Sequence, residues 1–352
     1  MRLCLIALTA FVFCHTAGWS KERRPTRPLR VAVVQMDASE AGNFALMKER
    51  AVAAKSEGAQ IIVFPEAAVL GWLNPEVFTK AEPVPGKYTA AFASIAREVG
   101  IWVAAGLAER GPKAAGLYDV YEAFDAGVLL NADGDIVIHH RKHNVLGNSF
   151  DTDACQRIFG KDQCSYLSAP IVEIKAIDTP FGRLAILVCA DAFTYDDAVL
   201  SKLKILKPDL VIVPWGIVAP DKQNCGADGY NATGFASVAA KYMKTAYVVG
   251  ANSVGERPFG RYRPSWYCGT SGFAEPDGTI GAIADASQRV ALFDIPLGRV
   301  KTPAASTAGM TGEAAVAAFF DGPAVSMNGQ TSSSTYPAFR AKAPPWMMEL
   351  LE

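Results

Sequence analysis

Three residues of different chemistry share one kind of position, the end of an apolar run. Glu66 follows "IIVFP", Lys142 follows "DIVIHHR", and Cys189 closes "LAILVC". A carboxylate, an ammonium and a thiol are the parts needed to cleave an amide through an acyl-thiol intermediate. The thiol attacks the carbonyl carbon. The carboxylate moves the proton from sulfur to the leaving amine. The ammonium and the backbone N–H of Ala190 hold the charge that gathers on oxygen. An ammonium about 4 Å from a thiol favours the thiolate by on the order of 4 kcal/mol at an effective dielectric of 20. With a helix N-terminus added, Cys189 is expected to ionise near neutral pH. Taken singly, each residue has a plainer reading. A lone Cys at a strand end is core, Glu66 is a helix cap, and Lys142 belongs to a solvated basic edge. Asp191 reads equally as an N-cap or as a site group.

The elements that must position these residues alternate along the chain. "LRVAVVQM" is strand-like, and 43–55 has helical spacing ended by Gly58. "AQIIVFPE" is a strand, 88–99 a helix stopped by Gly100, and "IWVAAGLAE" a strand. "YEAFDAGVLLNADGDIVIHHRKH" is a hairpin turning at Asp133-Gly134. "TPFGRLAILVCAD" is a second turn-and-strand unit, with a helix expected over about 196–206. "PDLVIVPWG", a helix over 231–244, "AYVVGANS" and a closing hairpin come next. This order predicts α/β layers around one core, with a single domain over 29–299.

The 352-residue chain has 34 basic and 35 acidic residues, which gives no electrostatic case for nucleic acid or an anionic membrane. Residues 1–18 match a secretory signal peptide: Arg2, an apolar stretch, then Thr16 and Gly18 at the cleavage positions. That stretch, about 12 residues, is too short to span a bilayer. A secreted or periplasmic protein with no membrane contact after signal cleavage is therefore expected. Residues 19–28 form a basic leader, and 300–352 an Ala/Ser/Thr/Gly-rich C-terminal extension. Outside the signal lie Cys155, Cys164, Cys189, Cys225 and Cys268. In an oxidising compartment four pair and one stays free. Cys155 and Cys164 share a short polar loop and are natural partners. Cys225 with Cys268 then leaves Cys189 free, although four cysteines allow three connectivities.

The stretches "AVVQMD", "IIVFPEAAVLGW", "HHRKHNV", "LAILVCAD", "DLVIVPW", "GANS" and "CGTSGFAEPDGTIGA" resemble, in order and spacing, the nitrilase superfamily of carbon–nitrogen hydrolases. The resemblance covers about residues 29–295 and matches Glu66, Lys142 and Cys189 to that family's catalytic Glu, Lys and Cys. It implies a four-layer α-β-β-α sandwich, no metal or organic cofactor, and pairing of subunits. The stretch from Cys189 through Asp191 and Asp196 to Val199 is similar to the secreted vanin and biotinidase branch, which favours a small-molecule amide over a nitrile. The chain departs from many members in lacking a second glutamate after the lysine. Asn148 is the nearest match, with Asp151 and Asp153 as charged alternatives.

Four residues are expected to bind substrate: Asn148, Ala190, Trp215 after "LVIVP", and Tyr118, with Tyr121 on weaker grounds. His139 and His143 have the spacing of a helical zinc pair but lie at a strand end. A Cys189–His143 pair without a lysine role is a rival for the thiol chemistry. The reading is an exported thiol amidohydrolase. The alternatives are an acyltransferase using the same site, or a catalytically inactive binding or scaffold protein.

Overall fold

The computed structural model describes residues 28–147, 149–193, 198–225, 230–261 and 264–297. The stretches expected to be a signal peptide, a basic leader (up to residue 27) and a C-terminal extension lie outside them, as does Asn148. The first half of the chain forms β1 (Leu29–Val34), α1 (Phe44–Ser56), β2 (Ile61–Val63), α2 (Val77–Lys80), α3 (Lys87–Val99), β3 (Trp102–Lys113), β4 (Tyr121–Leu130), β5 (Ile136–Arg141) and α4 (Thr152–Phe159). The second half forms β6 (Ala176–Thr179), β7 (Gly182–Ile186), α5 (Ala198–Leu206), β8 (Leu210–Trp215), β9 (Val218–Ala219), α6 (Ala232–Met243), β10 (Tyr247–Asn252), β11 (Val254–Glu256), β12 (Trp266–Cys268), β13 (Gly272–Ala274), β14 (Ile280–Ile283) and β15 (Val290–Ile295).

Local chemistry sets these boundaries. The Asn43 carboxamide accepts the Leu46 N–H and starts α1, and Asn231 does the same for Gly234 at the head of α6. Gly100 ends α3 in the left-handed conformation at φ 67°. The hairpin between β4 and β5 turns where expected, with the Asn131 side chain accepting from the Asp133 and Asp135 N–H groups.

Two six-stranded sheets run β15-β1-β2-β3-β4-β5 and β14-β13-β10-β8-β7-β6, beside a small sheet β11-β12-β9. Each large sheet has a parallel core, β1-β2-β3 in one and β7-β8-β10 in the other, with antiparallel strands at the flanks. Strand alternation sends Val31, Val33, Ile61, Val63 and Leu129 inward against Leu184, Ile186, Leu210, Ile212 and Val249 of the facing sheet. The opposite faces are covered by helices, the first sheet by α1 and α3 and the second by α5 and α6. The chain is thus a four-layer α-β-β-α sandwich. Among the described residues no helix is long and apolar enough to cross a membrane.

Both expected disulfides are formed, Cys155–Cys164 and Cys225–Cys268, and Cys189 carries a free buried thiol.

Candidate active site

The nucleophile turn comes first. Strand β7 ends at Ile186, and the Leu187 N–H still bonds the Ile212 carbonyl. The chain then enters a 3-10 turn over Cys189–Ala192. Cys189 holds φ 41°, a left-handed conformation that costs a non-glycine residue about 1–3 kcal/mol and clusters at functional sites. A 3-10 turn follows the thiol, too short to build an appreciable dipole, and the helix expected over about 196–206 comes after it as α5.

Glu66 sits past the end of β2. The chain there is pinned by Phe64 N–H to Ala104, Gly106 N–H to Pro65, and Glu66 N–H to the Trp215 carbonyl at 3.2 Å. Two glycines make room for it. A Cβ on Gly106 would fall 2.6 Å from the Glu66 Cα, and one on Gly216 would fall 2.0 Å from Glu66 Oε2. Gly216 also donates its backbone N–H to the Cys189 sulfur. The carboxylate and the thiol therefore share Gly216 as a neighbour.

Lys142 follows β5, whose inward residues are Ile138 and His140 and whose outward residues are His139 and Arg141. Lys142 continues the inward set. Its ammonium lies 2.5 Å from Glu66 Oε1 and 3.0 Å from Asp125 Oδ2, all three side chains buried. The Lys142 N–H donates to the Asp125 carbonyl at 2.8 Å. Asp125, on β4, is the residue that sequence reasoning missed. The available signal is its register: it lies two and four residues before Gly127 and Leu129, so a charged residue faces inward.

The charges in this cluster oppose burial. Burial raises the Glu66 carboxyl well above the usual glutamate range, Asp125 raises it further, and Lys142 pulls it back. Burial alone would lower Lys142, but Asp125 and then Glu66 push it well above the ordinary lysine value. The Cys189 thiol is raised well above its ordinary value, first by burial and then by the Glu66 charge, against the pull of Lys142 and the Gly216 N–H. The expectation of a thiolate near neutral pH is thus corrected. It counted the ammonium and left out the carboxylate and the loss of water.

Asp191 is neither an N-cap nor free. It is fully buried, and one oxygen accepts the His143 and Asn144 backbone N–H groups at 3.1 and 2.8 Å. The other oxygen meets His140 Nε2 at 2.7 Å. Asp191 therefore clamps the segment carrying Lys142 to the turn carrying Cys189.

The remaining predicted residues scatter. Ala190 is buried inside the nucleophile turn. Trp215 is fully buried, its ring facing Phe193 and Phe235, and it meets the site through its carbonyl. Tyr118 is 85% exposed and rests by Lys113, and Tyr121 lies under Arg110. Asp151 accepts the Gly260 N–H, and Asp153 is exposed; the second carboxylate that meets Lys142 is Asp125. His139 pairs with Glu109, while His143 Nδ1 meets the Ala169 carbonyl, so the two rings do not converge on a metal and His143 does not face the thiol. Among the described residues no group of three His, Cys, Asp or Glu could hold a metal ion. Tyr166 and Tyr267, both buried, stand close enough to Glu66 and Asp125 to feel their charge.

Known proteins share this arrangement of elements. An amidase of the nitrilase superfamily from Nesterenkonia AN1, solved as a point mutant, superposes with a TM-score of 0.59 at 16% identity, covering 78% of this chain and 93% of that one. A pantetheinase from Canis lupus familiaris is 25% identical over 203 residues, 51% of this chain but only 37% of the relative. A deaminated glutathione amidase from Rattus norvegicus is 28% identical over 165 residues, 46% of this chain and 48% of the relative. A "Hydrolase in pqqF 5'region" from Pseudomonas protegens is 27% identical over 263 residues, 74% and 76% of the two chains. The family model for carbon–nitrogen hydrolases matches residues 30–304, most of the chain, and the chain belongs to that family.

Proposed function

We propose that this protein is an exported thiol amidohydrolase that cleaves a non-peptide amide bond of a small molecule through an acyl-cysteine intermediate. The observation that carries the reading is one cluster: a free buried thiol beside a carboxylate that is itself held 2.5 Å from a buried ammonium. The amidase and pantetheinase relatives support the amide, and the two disulfides together with the signal-like N-terminus support export.

The chemistry rests on the protonation states. Cys189 rests as a thiol because burial disfavours its charge, so a base must act during attack. Glu66 takes the sulfhydryl proton as the S–C bond forms and the carbonyl electron pair moves onto oxygen. Lys142, with the Ala190 N–H, stabilises that oxyanion. Collapse breaks the C–N bond, and the amine leaves with the proton from Glu66. Water then attacks the thioester, giving its proton to Glu66, which returns it to sulfur as the acid departs.

Intact-protein mass spectrometry after exposure to a panel of small linear amides tests this. A covalent acyl adduct on Cys189, together with release of the amine, is expected. Substituting Cys189→Ala should abolish both while leaving the circular dichroism spectrum unchanged. Amide hydrolysis that survives in Cys189→Ala would overturn the reading.

A further inference from the structure

Lys142 has two carboxylate partners, and the thiol mechanism uses one of them. Glu66 and Asp125 each commit one oxygen to the ammonium. Their other oxygens, Glu66 Oε2 and Asp125 Oδ1, are buried and meet no hydrogen-bond partner among the described residues. Asp125 stands close enough for its charge to raise the Glu66 carboxyl. Two carboxylates against one ammonium leave an excess negative charge in a space closed to water, which raises the proton affinity of Glu66. Asp125 is also fixed from behind, since its carbonyl accepts the Lys142 N–H.

We propose that Asp125 is the lasting counter-ion of Lys142 and that its charge, set across that ammonium, tunes Glu66 as a base. The inference rests on the acyl-cysteine reading and gives it a working part. Each time Glu66 takes a proton from sulfur or water, its charge vanishes and its hold on Lys142 weakens. Asp125 keeps the ammonium charged and in place at that moment. The negative charge of Asp125 also makes Glu66 a stronger base, which a thiol held protonated by burial requires. Asp125 is a positioning residue, acting through Lys142 and Glu66 rather than on substrate. The other groups facing Glu66 are Lys142, the Cys189 thiol, and the Tyr166 and Tyr267 phenols, which burial keeps neutral. The His140–Asp191 pair lies close by, His140 two residues before Lys142, and is the other candidate source of a pH response.

The test is the pH dependence of Cys189 alkylation by iodoacetamide, followed by peptide mass spectrometry on the full chain from about pH 4 to about pH 9. In wild type the rate should rise along an acidic limb as Glu66 loses its proton. Asp125→Asn keeps an acceptor for Lys142 and removes the charge, so the limb should move at least about one pH unit lower, with a reduced plateau. Asp125→Glu keeps the charge and should hold the limb at the wild-type position. A limb that stays put in Asp125→Asn while the plateau drops would show a purely structural role, or an origin in His140, and would overturn the proposal. Should Asp125→Asn lose its native circular dichroism, infrared difference spectra of wild type decide. A protonated-carboxyl band must vanish across the limb, and its absence overturns the proposal. Wild-type Cys189 that resists alkylation at every pH would bring down the acyl-cysteine reading itself, and this inference with it.

Discussion

Glu66, Lys142 and Cys189 were legible in the sequence because each stands at the end of an apolar run, where α/β folds assemble sites. Asp125 was not, because it lies within a strand and its partner is contributed by the far end of the hairpin. Only the inward parity it shares with Gly127 and Leu129 marks it. The state of the thiol was misread for a similar reason: a pairwise attraction can be guessed from residue types, but the loss of water cannot. The same balance predicts the cost of deleting the ammonium. Lys142→Met leaves two buried carboxyls without a cation, a change expected to cost about 3 kcal/mol or more at neutral pH. The folded-state proton affinity of Glu66, already above that of the unfolded chain, would rise further. The folded state binds more protons, so stability falls as pH rises above the ordinary carboxyl range and recovers as pH falls back through it. Urea melts of wild type and Lys142→Met should therefore converge at low pH. A constant gap would show that packing rather than charge is lost.

At the scale of the element, β5 serves two masters through its alternation. Inward His140 and the following Lys142 build the site, while outward His139 and Arg141 both grip Glu109 of β3, at 2.6 Å each. Glu109 is almost fully buried, and although burial alone would raise its carboxyl, the His139 and Arg141 contacts hold it below the usual glutamate range. This grip sets the strand end from which Lys142 projects. The hairpin turn and the strand period were readable in advance, but the residue that locks the strand was not, because nothing at the end of the apolar run "IWVAAGLAE" marks Glu109 as buried. Glu109→Gln should lose about 1–2 kcal/mol at neutral pH, a figure reduced for the partial exposure of both partners. Because the folded carboxyl is held low, its contribution is full above the unfolded glutamate value and fades as pH falls through the folded one. The difference in urea midpoint between Glu109→Gln and wild type should thus shrink in acid, with Cys189 alkylation slowed at neutral pH where Lys142 is less well placed.

Over the whole molecule, the two sheets meet across one apolar interface, and the site forms where the ends of β2, β5, β7 and β8 come together. The layer order could be read from alternating apolar runs. Which strand ends become neighbours could not, because that depends on non-local pairing such as β1 with β15. The disulfides staple loops outside this core. Cys225–Cys268 closes a separation of 43 residues and ties the loop after β9 to β12, whereas Cys155–Cys164 closes only 9 within the α4 region. Loop-closure entropy then ranks them, at about 4 kcal/mol for the longer and roughly 3 kcal/mol for the shorter. The paired variants Cys225→Ser/Cys268→Ser and Cys155→Ser/Cys164→Ser should both lower the urea midpoint, the first by more. Neither bridge contains the nucleophile, so both variants should still be alkylated at Cys189 under conditions where they remain folded. A phosphine reductant, which cuts disulfides but leaves a thioester intact, should likewise lower the melting temperature without removing the acyl adduct. Loss of the adduct in a folded, reduced protein would mean that the longer staple also shapes the pocket, since the loop it fixes descends from the β8 end where Gly216 touches both Glu66 and Cys189.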